Sequence, residues 1–154
     1  MKLTEKYTDI SYIKFQGSRP LVVLDDKKGG KVSYRGENDD RKELIVYKID
    51  DGIMKDNPGI KCDYGLYTTS SGVIRFIELK GSDLDKAHQQ IIRSIRYILN
   101  DSVTGINKVH GRIVLSKERV PNIKSNYEKQ LEKILKQKNG NLRKACRVLT
   151  EVID

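Results

Sequence analysis

Apolar residues recur in short patterned runs, separated by charged or glycine-rich stretches. Leu21 to Leu24 is one such run. It ends at Asp25-Asp26-Lys27-Lys28-Gly29-Gly30, and Lys31 to Tyr34 reads as its returning hairpin partner. Gly36 to Lys42 is charged and reads as a loop. Leu44 to Ile49 is rich in β-formers and stops at the turn signal Asp50-Asp51-Gly52. After a second turn, Asp56-Asn57-Pro58-Gly59, Ile60 to Tyr67 and Val73 to Lys80 read as neighbouring strands. Thr68-Thr69-Ser70-Ser71-Gly72 joins them as a hairpin connection. The first 20 residues carry no pattern that predicts an element.

Beyond Gly81 the period changes from two to that of a helix. Leu84, Ala87, Ile91, Ile95 and Ile98 form an apolar stripe running to Leu99. Ser82 or Asp83 can cap it, and Asp85 adds charge to its first turn. Arg112 to Ser116 reads as a short strand. Pro121 breaks the chain, and a basic amphipathic helix follows over Lys124 to Lys138, with Tyr127, Leu131, Ile134 and Leu135 as its stripe. Asn139-Gly140 stops it, and Ala145 to Leu149 reads as a last, edge strand. This order predicts an α/β (α+β) fold, a single mixed β-sheet with flanking helices, in one domain spanning residues 1–154.

The second hairpin carries the candidate chemistry. Side chains alternate faces along a strand, so Glu78 and Lys80 point the same way. If Ser70 and Ser71 sit at the centre of the turn, paired residue numbers sum to about 141 and Asp63 lies opposite Glu78. Lys61 then lies opposite Lys80. Two carboxylates facing each other repel, and a hard divalent cation offsets that. The plainer alternative is a pair of diagonal salt bridges on a solvated face, each contributing roughly 0–1 kcal/mol. The segment Val73 to Lys80 argues against it. It is apolar on both faces like an interior strand, and charges at the end of such a strand are costly unless they serve something.

Asp63, fourteen intervening residues, then Glu78-Leu79-Lys80 resembles the PD-(D/E)xK nuclease signature, with Cys62 in place of the usual proline. The hairpin, Gly81 and a following helix bearing Gln resemble that family's surroundings over about Leu44 to Ser116. The resemblance implies a restriction-endonuclease-like core of order β-β-β-α-β and a Mg2+- or Mn2+-dependent endonuclease acting on DNA. By the same resemblance, Asp63 and Glu78 bind the metal and Lys80 positions or activates the water. Gln90 joins them from the helix, with Gln89 as its competitor. An earlier acidic residue completes the metal set in many members. Asp51 is the choice here, with Asp50 and Glu43 as alternatives. No amphipathic helix precedes the strands to present it, which departs from the family pattern.

Composition narrows the partners. Charged residues make up 33% of the chain and the net charge is +9, which favours a polyanionic partner, nucleic acid above all. From His110 to Asp154 there are eleven Lys or Arg against five Asp or Glu, a surface suited to a phosphate backbone or simply to water. Cys62 and Cys146 lack metal-ligand spacing and predict neither a zinc site nor a disulfide framework, in keeping with a reducing cytoplasm. His88 and His110 have no second ligand near them in sequence and read as surface or partly buried residues. No apolar run predicts a signal peptide or a membrane span. A small nuclease core often needs a homodimer to cut both strands, although no interface signal stands out. The alternative function is a non-catalytic module that binds nucleic acid or protein on the same fold.

Overall fold

The computed structural model describes residues 1–26, 31–79, 83–117 and 124–154. In chain order the strands are β1 (Ile13–Gly17), β2 (Leu21–Asp25), β3 (Ser33–Glu37), β4 (Leu44–Lys48), β5 (Tyr64–Thr68), β6 (Val73–Leu79), β7 (Lys108–Leu115), β8 (Leu142–Cys146) and β9 (Val148–Val152). The helices are α1 (Leu3–Lys6), α2 (Leu84–Ile98) and α3 (Asn126–Gln137). Among the described residues the strands form two sheets. A mixed six-stranded sheet has the order β1-β4-β5-β6-β7-β8, and a three-stranded sheet has the order β2-β3-β9. The β4-β5-β6 meander is antiparallel, and β6, β7 and β8 run parallel, with α2 connecting β6 to β7.

The mixed sheet with helices agrees with the pattern of apolar positions, whereas the second sheet was not visible in it. Its origin lies at Arg147. That residue adopts φ 67°, a left-handed conformation rare outside glycine. The bend splits the expected single strand at 145–149 into β8 and β9, one in each sheet. The Arg147 N–H donates to Leu115 O on the large sheet, and its carbonyl accepts from Ser33 N on the small one. β1 also escaped notice, because it is an edge strand with only half-buried residues on its inner side.

Each face of the six-stranded sheet is buried against a different layer. Ile74, Phe76, Val109 and Ile113 pack with Ala87, Ile91 and Ile95 of α2 and with Leu131 and Leu135 of α3. On the other face Leu66, Ile77, Leu79 and Val114 pack with Val22, Leu24, Tyr34 and Leu149 of the small sheet. β6 contributes to both layers in alternation, which explains why its sequence is apolar on both faces. The α2 cap is Asp83, whose side chain accepts from Lys86 N at 3.1 Å. Ser125 caps α3 in the same way, accepting from Glu128 N.

The end of α3 returns the chain tightly onto β7. Asn139 is left-handed at φ 61°, and a Cβ built on Gly140 would stand 1.7 Å from the Val109 carbonyl oxygen. Backbone cannot yield there as a flexible side chain would. Gly140→Ala is therefore expected to destabilise the fold by about 3 kcal/mol or more, read as the shift of the urea midpoint. A shift below about 1 kcal/mol, within the range of ordinary surface changes, would refute this reading of the turn.

Between the two sheets lies a buried ionic group. Glu151 accepts from Arg112 Nε at 3.0 and 2.9 Å, from Arg75 Nε at 3.2 Å and from the Tyr34 hydroxyl at 2.7 Å. Arg75 also donates to Asp154 at 2.5 Å. His110 is buried nearby, with its Nδ1 accepting from Asn141 N. Burial, and then the Arg112 and Arg75 cations, push its pKa down to about 4. Burial opposes ionisation of Glu151 and Asp154, but hydrogen bonds from the guanidiniums outweigh it. Both carboxyls end below their ordinary values, Asp154 at about 2.

These directions fix the acid side of the stability profile. A histidine with a depressed folded pKa is protonated first in the unfolded chain, so stability falls as pH drops from about 6.5 towards about 4. The carboxylates contribute stability above their unfolded values and lose it as pH falls lower still, through their depressed folded values. His88, also depressed, adds to this loss, and Glu78, whose pKa is raised, opposes it. The His110 share is therefore read as the difference in urea unfolding between wild type and His110→Gln, which should lose less stability between pH 6.5 and 4. Identical pH profiles for wild type and His110→Gln would contradict the assignment.

Candidate functional site

The β5–β6 register matches the expectation from the turn. Tyr64 pairs with Ile77 and the ladder runs to Thr68 with Val73. Beyond Tyr64 the ladder changes character. Asp63 N donates to Ile77 O at 3.2 Å and Asp63 O accepts from Ile49 N at 3.0 Å, so its backbone bridges β4 and β6. The Leu79 N–H is met by the Asp63 carboxylate, Oδ2, at 2.9 Å. Asp63 is thus held at the mouth of the hairpin, beside Glu78. By strand alternation both carboxylates lie on the α2 side of the sheet, the face that Ile74 and Phe76 share.

Glu78 is 6% exposed, and its Oε1 is buried without a hydrogen-bond partner. Burial, then the charge of Asp63 beside it, and then that of Asp50, raise its pKa well above the ordinary 4.5. A buried carboxylate next to another is costly in either protonation state, since one oxygen stays unsatisfied. That orphaned atom, with Asp63 adjoining, fits a hard divalent cation, which takes one or two protein carboxylates and fills its remaining positions with water and phosphate oxygen. Among the described residues no group of three His, Cys, Asp or Glu side chains is arranged as a metal cage.

The chain entering Asp63 is held by side chains of α2 and not by a strand ladder. Asn57-Pro58-Gly59 turns with Gly59 at φ 104°. Arg93 then donates to Ile60 O at 2.7 Å, to Pro58 O at 2.7 Å and to the Asn57 amide oxygen. Gln90 Nε2 donates to Lys61 O at 3.1 Å, and the Cys62 N–H donates to Ser94 Oγ at 3.0 Å. For this reason β5 begins at Tyr64, four residues later than the apolar pattern suggested. Arg93 and Ser94 were not singled out in the sequence. Their spacing from Gln90, three and four residues along one helix face, is the signal that could have found them.

Gln90 therefore stands one helical turn from this entry, in a positioning contact with the backbone two residues before Asp63. Gln89, its competitor, is half-buried. Cys62 is fully buried, and burial pushes its thiol pKa up, away from reactivity. A proline at this position could not make the bond to Ser94. Cys62→Pro should cost about 1–3 kcal/mol for an unsatisfied or displaced polar group, measurable as a lowered melting temperature. No change would show that the bond to Ser94 contributes little.

The acidic turn after β4 is a single π-helical turn, Ile49–Ile53, closed by Met54 N donating to Ile49 O at 2.9 Å. Such turns concentrate at functional sites. Asp50 reaches Lys61 at 3.7 Å, Lys61 also donates to Met54 O, and Asp50 is the residue of this turn whose charge bears on Glu78. Asp51, the residue expected to complete the metal set, is exposed on the same turn. Glu43 precedes β4, at the far end of that strand, where its carbonyl accepts from Thr69 N. Lys80 lies outside the described residues.

The histidines differ from expectation, since both are buried. The two ring nitrogens of His88 face Asp85 at 3.5 Å and Glu128 at 3.4 Å but make no hydrogen bond. Its pKa is lowered, first by burial and then by Lys144, which pairs with Glu128. Neutral His88 packs α2 against α3 and takes no part in the hairpin site. Both cysteines are free thiols. No described helix is long and apolar enough to cross a membrane.

Comparison with protein families, curated proteins and solved structures returns no match. The functional reading consequently rests on the residues and their geometry.

Proposed function

We propose that the chain is a metal-dependent nuclease that hydrolyses phosphodiester bonds in DNA, with Asp63, Glu78 and Lys80 at its centre. The observation that carries this reading is the buried Glu78 carboxyl, beside Asp63, with one oxygen unsatisfied. In this reading Asp63 and Glu78 hold Mg2+ or Mn2+, with Asp50 or Asp51 contributing negative charge from the π turn. The ion supplies Lewis-acid stabilisation of the phosphate and acidifies a bound water. Lys80 orients that water, and Gln90 fixes the backbone that carries Asp63. The net charge of +9 supports a polyanionic substrate, and a homodimer would bring two sites to the two strands.

The test is nicking of supercoiled plasmid with Mg2+ or Mn2+, comparing the wild type with Lys80→Ala. Metal-dependent nicking that falls at least about a hundredfold in the variant is expected, in line with the several kcal/mol of transition-state stabilisation that such groups supply. Cleavage undiminished in Lys80→Ala would remove that residue from the chemistry. Absence of cleavage on plasmid, single-stranded and branched substrates would reject the reading.

One observation favours a second reading, a non-catalytic binding module. The Asp63 carboxylate already accepts from Leu79 N and the Gln90 amide is already engaged, so both have structural duties. Divalent ions separate the two readings. A carboxylate site raises stability by about 2.7 kcal/mol at a hundredfold excess over Kd, whereas structural contacts leave the melting temperature unmoved.

A further inference from the structure

A groove between α2 and α3 opens beside the entry to the hairpin site, with about 260 Å³ of space. Ile60, Ile92, Arg93, Arg96 and Tyr127 are among the residues that line it. Tyr127 was expected in the apolar stripe of α3, yet it is 43% exposed. Ser125 caps the helix two residues earlier and holds this ring on a regular turn. Arg96 is exposed and has no ion-pair partner among the described residues. Two guanidiniums and no carboxylate line the groove, which fits a polyanion. Ile60 is three residues from Asp63, at most about 11 Å of extended chain.

We propose that this groove receives one unpaired nucleobase of the substrate strand, stacked on Tyr127 and flanked by the Arg96 guanidinium, next to the phosphate presented to Asp63 and Glu78. The inference rests on the nuclease reading and assigns its substrate class, a polynucleotide with unpaired bases near the cut and not a continuous B-form duplex. The space is below the roughly 300–1,000 Å³ of pockets that enclose drug-sized ligands, which suits a single planar ring. An aromatic face can take a base only when that base is unstacked. A guanidinium adds cation–π attraction and a contact to the adjoining phosphate. The exposed ring and unpaired arginine leave the groove open without any rearrangement of the core.

The experiment measures fluorescence anisotropy of a labelled 20-nucleotide oligo-dT and of a blunt-ended linear duplex without a loop, in EDTA so that no cleavage intervenes. Wild type, Tyr127→Phe, Tyr127→Ala and Arg96→Gln are compared, with melting temperatures confirming that each folds. The expected result is single-strand binding that weakens about tenfold in Tyr127→Ala, stays within about twofold in Tyr127→Phe, which keeps the aromatic face, and weakens in Arg96→Gln. Duplex binding is expected to be unchanged by Tyr127→Ala. Equal losses on both nucleic acids, no loss in Tyr127→Ala, or no single-strand binding by the wild type would each overturn the proposal. The two readings fail separately. Tyr127-dependent binding without plasmid nicking would remove hydrolysis and keep the subsite. Nicking with a neutral Tyr127→Ala would keep hydrolysis and remove the subsite.

Discussion

Glu78→Gln is expected to make the metal-free protein as stable as the wild type or more so, while abolishing both stabilisation by divalent ions and plasmid nicking. In the wild type the carboxyl is buried beside Asp63, and Oε1 has no partner. An amide of the same shape removes the repulsion between two carboxylates and places a donor where a shared hydrogen bond with Asp63 becomes favourable. The gain is of the order of 1 kcal/mol, the net worth of one hydrogen bond. A neutral amide is a poor ligand for a hard dication, so the ion-dependent shift in melting temperature should vanish. Nicking should drop at least about a hundredfold, in step with the loss of the ion's contribution to the transition state. If Gln lowers stability by several kcal/mol without metal, Glu78 is a structural anion with a partner of its own, and the binding-module reading gains.

The hairpin site was largely legible in the sequence because its register is set locally. A turn centred on Ser70-Ser71 dictates every pairing down to Tyr64 with Ile77, and alternation then assigns Glu78 to the α2 face. What was hidden depends on contacts distant in sequence. The end of the ladder at Tyr64 comes from Gln90, Arg93 and Ser94, which hold residues 57–62 across a gap of about thirty positions. The second sheet is hidden for the same reason. β3 pairs in parallel with β9 over more than a hundred residues, and the left-handed turn at Arg147 passes the chain from one sheet to the other. Arginine carries no turn signal of the kind that glycine or asparagine gives. His88 and His110 could be placed by no local rule, since their burial depends on α3 and on the Glu151 group.

Glu151→Ala should be the most destabilising single change on the face remote from the candidate site, costing about 3–5 kcal/mol, the usual price of leaving a buried charge unpaired. Glu151 pairs with Arg112 and Arg75, each 2% exposed, and accepts from the Tyr34 hydroxyl and from Arg143. Asp154 can retain one arm of Arg75, but among the described residues Arg112 keeps only carbonyl contacts to Gly111 and Asn141. For a chain of this length the melting temperature should fall by roughly 6–20 °C, at 2–4 °C per kcal/mol. Glu132→Ala, which breaks the exposed pair with Lys124, provides the contrast at about 1 kcal/mol or less. Arg75 lies on the opposite face of β6 from Glu78, so the two clusters share a strand but no contact. Nicking per folded molecule, measured well below the melting transition, should therefore match the wild type in Glu151→Ala. A loss of nicking without a loss of stability would mean that β6 couples the two faces, and that the buried ionic group holds the geometry of the hairpin site as well as the two sheets together.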